Sequence, residues 1–322
     1  MKAIRIHRPG GTDALQLEEV PEPRPKRGEV VVAIEAAGIN YIDVYFRTGV
    51  YKAEVPFTLG LEAAGTVTAV GEGVTHLRTG DRVAYTGIPG AYAQFASVPA
   101  ERIVTLPEGV STRQAAAAML QGMTAHYLAT STWPLAPGQA CLVHAAAGGV
   151  GLLLCQIAKM RGARVIGTVS TEEKARLARH AGADDVILYS KDDFVAEVKR
   201  LTGGEGVHVV YDGIGRTTFS KGLDCLVRRG MLALFGQASG PVEPFDPQIL
   251  NLKGSLFVTR PSLNHYILTR NELVERAGEV LGWVREGKLA LRVDREYPLK
   301  DAAEAQAMLE ARRTTGKLLL IP

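Results

Sequence analysis

The sequence predicts an α/β protein in which a doubly wound parallel sheet is inserted into a β-rich domain. Three observations carry that expectation. From residue 139 the chain alternates apolar strand-like runs with amphipathic helical ones, "QACLVHAA" then "GVGLLLCQIAKMRG", "ARVIGTVS" then "TEEKARLARHAG", and onward to "MLALFGQAS". Strands that read as continuous apolar runs between helices belong to a parallel sheet covered on both faces. The first 110 residues instead carry short β-rich runs punctuated by Pro and Gly, and the tail, "ALRVDREYPL" and "GKLLLIP", returns to that character. The tail is therefore expected to pack back onto the first segment, giving residues 1–122 and 261–322 to the β-rich domain and 123–260 to the inserted one. A length of 322 residues agrees with about two domains.

In order, strands are expected in "KAIRIH", "LQLEEV", "EVVVAIEAAGI", "GTVTAVG", "RVAYTG" and "YAQFASV", with a surface loop at "PEPRPKRGE". One helical interruption begins at Asn40, in "NYIDVYFRTG". A helix opens after Ser111, where Gln114 stands three residues on as in a capping box. Four strand–helix alternations and a fifth strand follow from Pro137, then the strand-like "SLFVTR" and a longer helix through "HYILTRNELVERAGEVLGWVREG".

Composition narrows the function classes. The net charge of +3 is spread through stretches of alternating sign, so no basic stripe of the kind that neutralises a row of phosphates is written here, and nucleic acid is not expected as a partner. No run approaches 18 apolar residues and the amino terminus has no apolar leader core, so no membrane association is expected. Cys141, Cys155 and Cys225 lie far apart, without the spacing of a disulfide framework or a metal knuckle, which points to a reducing, cytoplasmic compartment.

The stretch "HAAAGGVGLLLCQIAKMRGARVIGTVSTEEK" carries the chemistry. Gly148, Gly149 and Gly151 follow a strand and open a helix in the first βα unit, although Ala146 stands where the dinucleotide fingerprint G-x-G-x-x-G has its first glycine. Small residues there let backbone N–H groups approach a pyrophosphate, and the helix dipole favours the negative charge. Ala146 permits the turn if its φ is negative. At the end of the second strand an acid would bind a ribose 2′-OH and repel a 2′-phosphate; Ser170 removes that repulsion, and Lys174 lies one turn further on. NADPH is the expected cofactor. The alternative is that Ser170 caps the helix through Glu173 while Lys174 lies on a solvated face.

"AAGINYIDVYFRTGVY" and "TLGLEAAGTVTAVGEGV" resemble the medium-chain dehydrogenase/reductase superfamily over nearly the whole chain. That resemblance implies a Rossmann nucleotide domain inserted in a GroES-like catalytic domain. Zinc members carry a Cys, a Gly-His-Glu and a four-Cys lobe; here Asn40 stands in the Cys region, Leu61 replaces the His in Gly60-Leu61-Glu62, and the lobe is missing, so no metal is expected. Together with "AAAGGVG", "FGQASG" and "VTRPSL", these departures resemble the zinc-free quinone oxidoreductases related to zeta-crystallin. What that implies is a homodimer reducing quinones with NADPH in the cleft between domains. The resemblance places Tyr41, Ile42, Asp43, Val44, Tyr45, Tyr127, Gly149, Val150, Ser170, Thr171, Lys174, Tyr189, Phe235, Gly236, Gln237, Ala238, Phe257, Val258, Thr259 and Arg312 at the cofactor, beside Gly148.

Hydride transfer to a quinone needs no nucleophile, because the acceptor is already electrophilic and the cofactor performs the redox step. Tyr45 and Tyr51 are the candidate contacts to the quinone, with Asn40 and Asp43 as organisers of the nicotinamide end. Asp43 also stands four residues before Arg47, the spacing of an exposed helix ion pair. Two other functions fit the scaffold: an NADPH-dependent enone or enoyl-thioester reductase, and a nucleotide- or RNA-binding protein without turnover.

Overall fold

The apolar runs of the first hundred residues form β1 (Lys2–Ile6), β2 (Gln16–Glu19), β3 (Glu29–Ile39), β4 (Phe57–Thr58), β5 (Glu62–Val70), β6 (Arg82–Thr86), β7 (Phe95–Pro99) and β8 (Ile103–Thr105), with α1 (Tyr41–Arg47) directly after β3. This computed structural model describes every residue from Met1 to Pro322. Helix α2 (Thr112–Tyr127) starts with the expected box: Ser111 N–H donates to Gln114 Oε1 (2.8 Å) and Gln114 N–H to Ser111 Oγ (3.1 Å). It runs on into a π-helical turn at Leu128–Thr132. Then come β9 (Ala140–His144), α3 (Gly149–Met160), β10 (Arg164–Val169), α4 (Glu172–His180), β11 (Asp185–Leu188), α5 (Phe194–Leu201), β12 (Val207–Asp212), α6 (Phe219–Asp224) and β13 (Leu226–Leu234). The chain closes with α7 (Gln248–Leu252), β14 (Phe257–Thr259), α8 (Leu263–Tyr266), α9 (Arg270–Arg285), β15 (Val293–Pro298), α10 (Ala302–Glu310) and β16 (Lys317–Ile321).

These elements fall into two units, Met1–Met123 with Ile267–Pro322, and Thr124–Tyr266. The first division lies inside α2, and α8 goes with the inserted unit.

The first unit is built around β3. One edge of β3 pairs with β5; its other edge is shared, with β7 taking Glu29–Ala33 and β16 taking Ala37–Ile39. The carboxyl-terminal strand thus completes the sheet order β15-β16-β3-β5-β6-β8, and a smaller sheet β2-β1-β4 lies apart. Alternate residues of β3, Val30, Val32 and Ile34, join Ile4, Tyr85, Val98 and Leu320 in its core, the period of two that a half-covered strand requires.

The second unit is one parallel sheet in the order β11-β10-β9-β12-β13-β14. β9 lies between β10 and β12, so the strand order reverses direction at β9, the switch point where open α/β sheets bind ligands beyond the strands' carboxyl ends. Apolar residues of adjacent strands, Leu142, Ile166, Ile187 and Val210, meet Phe194, Phe219 and Leu223 from the helices in its core.

Candidate functional site

Because all six strands of the inserted sheet run parallel, their carboxyl ends lie on one edge, and the connecting loops there gather the expected cofactor residues. Gly148 and Gly149 follow β9, Ser170 follows β10, Tyr189 follows β11 and Phe235–Ala238 follow β13. Thr259 ends β14, beside Ala233 of β13.

The turn after β9 shows how a fingerprint with alanine in its first glycine position still folds. The left-handed conformation falls on Ala145, at φ 52°, and not on Ala146, whose N–H donates to Thr168 O (3.1 Å). The cost of the Ala146 methyl is met across the sheet. A Cβ on Gly167 would come within 2.8 Å of it, so the missing side chain stands on β10. Gly151 has no such latitude: a Cβ there would sit 2.3 Å from Ala145 O and 2.8 Å from Ala146 Cα, where helix and strand touch. Gly148 is the N-cap of α3 and offers no side-chain acceptor, and the first turn of α3 carries no acid. Its amide groups and positive dipole end thus form a cradle that fits a pyrophosphate.

At the next strand end the alternative in which Ser170 caps the helix does not hold. Thr171, not Ser170, caps α4, its Oγ1 accepting from Lys174 N–H at 3.3 Å. Ser170 contributes only its carbonyl, which accepts from Ser190 Oγ (3.0 Å), leaving its side chain clear of the capping role. Ser170 puts no carboxylate at the position where a ribose-binding acid would stand, although Glu172 and Glu173 follow in the first turn of α4. Tyr189, 42% exposed, adjoins this corner through its backbone, its N–H donating to Val169 O (3.1 Å).

Asp212, which the sequence reading missed, fixes the loop after β12. Its Oδ1 accepts from Ile214 N–H (2.7 Å) and Gly215 N–H (3.1 Å), and its Oδ2 from Thr218 Oγ1 (2.8 Å). Ser239 N–H donates to Ile214 O (2.8 Å) and Ala238 N–H to Gly213 O (3.2 Å), which ties the 213–215 loop to Phe235–Ala238. An Asp closing an apolar strand two residues before a turn was the available signal. His144 packs edge-on to Phe194 and its Nδ1 meets Thr168 Oγ1 at 2.9 Å, but its Nε2 has no partner. Burial holds this imidazole below its ordinary range, against the pull of the Asp212 carboxylate. Tyr127 is buried and stacks face to face on Tyr266, with ring centroids 4.2 Å apart, so its ring faces another ring. Phe257 lies on the outer edge of β14, 53% exposed.

In the other unit, α1 brings together most of the expected catalytic residues, in two layers. Tyr41, Tyr45 and Tyr51 form an aromatic cluster, with centroid separations of 5.4 Å and 5.2 Å. Asn40 and Asp43 lie beneath it, fully buried. Asn40 N–H and Tyr92 O–H both donate to Asp43 Oδ2 at 2.8 Å. Burial pushes the Asp43 carboxyl up to about 7, against the lowering effect of those two donors and of the Lys317 ammonium, while Glu62 adds to the rise. The exposed Asp43–Arg47 pair does not form; Arg47 is itself buried and donates to Glu310 of α10 at 2.8 Å. Arg312, exposed after α10, lies near enough to Tyr41 for its charge to counter the rise that burial and Glu310 impose on that phenol.

At the positions where zinc members of the superfamily hold ligands, Asn40 Nδ2 donates to Glu62 Oε2 (2.8 Å) and Leu61 is a buried apolar residue. No group of three or more His, Cys, Asp or Glu side chains is arranged to hold a metal ion.

Comparison with known proteins agrees with both units. The zinc-binding dehydrogenase family matches residues 149–279, and the alcohol dehydrogenase GroES-like domain family matches residues 26–108. The chain is 47% identical to quinone oxidoreductase 1 of Escherichia coli, over 99% of each chain. It is 43% identical to a 2-haloacrylate reductase of a Burkholderia species, over 99% of this chain and 98% of the relative. The crystal structure of the E. coli quinone oxidoreductase complexed with NADPH superposes with a TM-score of 0.98 at 46% identity, covering 100% of both chains.

Proposed function

The chain belongs to the quinone oxidoreductases of the medium-chain dehydrogenase/reductase superfamily, and from that premise we infer that it reduces quinones with NADPH, by hydride transfer and without a metal ion. The observation that carries the cofactor is the pairing of the glycine cradle at α3 with Ser170, and not an acid, directly after β10. NADPH supplies the hydride when bound. The chain's task is to bind, orient and exclude. The α3 cradle holds the pyrophosphate, Ser170 and Lys174 take the 2′-phosphate, and the loop locked by Asp212 gives Phe235–Ala238 one conformation. Tyr45 and Tyr51 meet the quinone ring, and Asn40 and Asp43 hold α1 in place, so that oxygen gaining charge finds donors already oriented. Zinc chemistry has no support from this residue set, since Asn40 and Leu61 offer neither thiolate nor imidazole.

The unit Thr124–Tyr266 is the dinucleotide domain and the remainder the substrate domain. We place the protein in the cytoplasm, on the support of three free and buried cysteines, which suit a reducing compartment. Burial pushes Cys155 up to about 12, which leaves that thiol inert. A homodimer is supported by β14, a strand with one unpaired edge on which Phe257 is 53% exposed, and by the 82% exposed Leu252 that ends α7 five residues earlier. No helix is long and apolar enough to cross a membrane.

The 43% identity to a 2-haloacrylate reductase favours a second reading, reduction of an activated carbon–carbon double bond. Steady-state oxidation of NADPH and NADH, each with a panel of quinones and a panel of enones and haloacrylates, separates the two. Faster turnover of every unsaturated acid or enone than of any quinone refutes the quinone reading, and stoichiometric zinc in the active protein refutes the metal-free one.

A further inference from the structure

Lys317 and Glu62 form an ion pair in which both side chains are buried, 255 residues apart in sequence. Lys317 Nζ donates to Glu62 Oε2 and, at 2.8 Å, to Asn40 Oδ1. Asn40 Nδ2 donates to the same Glu62 oxygen, while Leu120 N–H of α2 donates to Glu62 Oε1 at 2.6 Å. β16, β5, α2 and the first residue before α1 thus converge on one carboxylate. Space for the pair is reserved on β3: a Cβ on Gly38 would stand 2.3 Å from Glu62 Oε2 and 2.7 Å from Lys317 Cε.

Burial of both charges makes the pair a poor source of net stability, because desolvation offsets the attraction and apolar residues of similar volume often serve as well. Direction is what it supplies. With its amide oxygen and nitrogen both bound, Asn40 has one orientation, and its backbone N–H then meets Asp43 in the first turn of α1. Resting on the quinone reductase reading, we propose that Lys317 and Glu62 are positioning residues of the reaction, which lock Asn40 and through it the helix that carries Tyr41 and Tyr45.

The groups facing Asp43 give this role a signature. Tyr92 faces it from the loop before β7, Glu62 from β5 and Lys317 from β16, with Arg47 one turn along α1 and held by Glu310 of α10. Asp43 accepts best as a carboxylate, so activity is expected to fall with an acid limb. Glu62 and Lys317 act on that limb with opposite sign.

Lys317→Ala would leave Glu62 buried without a counter-ion and is expected to unfold the chain, whereas in Glu62→Gln Lys317 keeps Asn40 Oδ1 as acceptor and the nearby Asp43 carboxylate as counter-charge, so the test uses Glu62→Gln and the charge-free double variant Lys317→Met/Glu62→Gln. For the double variant, NADPH affinity by fluorescence is expected within twofold of wild type. Its kcat with whichever acceptor the wild type reduces is expected to fall about 10-fold or more, the scale of a sub-ångström misplacement. Hydrogen exchange in the peptide covering Tyr41–Thr48 should rise about 10-fold as the first turn loosens. Glu62→Gln should move the acid limb of kcat to lower pH, since a like charge near Asp43 is gone. Wild-type kcat with wild-type exchange in α1 overturns the proposal, as does an unmoved acid limb in Glu62→Gln. If the double variant does not fold, the limb and the α1 exchange of Glu62→Gln decide. A wild type that oxidises NADPH with no quinone refutes the activity instead, and α1 exchange alone then decides the positioning role.

Discussion

Gly151→Ala tests the geometry of the nucleotide-binding turn directly. The added methyl would stand 2.3 Å from Ala145 O and 2.8 Å from Ala146 Cα, both backbone atoms that cannot rotate away. Real contacts of this kind stay beyond about 3 Å, so α3 must move off β9 by at least roughly 0.7 Å, in a core packed as densely as an organic crystal. Overpacking of that order costs about 1–3 kcal/mol. For a unit of this size, each kcal/mol lowers the melting temperature by about 2–4 °C. The same movement carries the amide cradle off its target, and a 1 Å misplacement is worth about 100-fold in rate. Gly148→Ala is the control, because its methyl meets Ala145 O at 3.2 Å, which small adjustments relieve. Calorimetry and NADPH titration by fluorescence should therefore show Gly151→Ala losing both stability and affinity, and Gly148→Ala losing affinity with a melting temperature near wild type. A Gly151→Ala protein that melts and binds NADPH as the wild type does refutes the argument.

Lys174→Ala is expected to lower kcat/KM for NADPH by about 10-fold or more with little change for NADH, the value of one lost hydrogen bond to a charged group. Equal losses with both cofactors would make Lys174 structural. Asp43 titrates near 7 in the folded chain against an ordinary 3.8, so the folded state binds more protons through that window, and this group's contribution to stability is greatest below about 4 and is lost as pH rises through 7. Asp43→Asn should flatten that decline, changing the difference from wild type by up to about 4 kcal/mol between pH 4 and pH 8; denaturant melts with parallel pH dependence in both proteins would contradict it. Phe257→Asp, which puts a charge on the open edge of β14, is expected to shift a dimer toward monomer in light scattering, and an unchanged mass excludes that edge as the interface.

Short-range pattern made the inserted sheet legible: apolar strands, amphipathic helices and a glycine turn all lie within a few tens of residues. Gly151 was readable because close helix–strand packing constrains one position in the motif. The buried centre under α1 was not, since Glu62, Tyr92 and Lys317 meet Asn40 and Asp43 only after β5, the loop before β7 and β16 have paired or packed around β3. A lysine in "TTGKLLLIP" reads as a solvated strand end until the strand is known to run beside β3. The alternative that put the cap of α4 at Ser170 fails by one residue, because Ser170 and Thr171 are both capable acceptors and only the backbone decides between them. The exposed pairing of Asp43 with Arg47 failed for a related reason: helical spacing says which residues share a face, and not which face is buried.

The Ala146 methyl and the bare Gly167 are two halves of one fit, since a second methyl at 167 would stand 2.8 Å from the first. The order in which these positions change therefore matters. Gly167→Ala made alone collides with a neighbour, whereas the same change made after Ala146→Gly finds only Ala183 Cβ at 3.6 Å and Ala178 Cβ at 3.9 Å, ordinary contacts. A lineage can carry its small residue in the loop or on the adjacent strand, and the route between the two arrangements runs through the doubly bare chain.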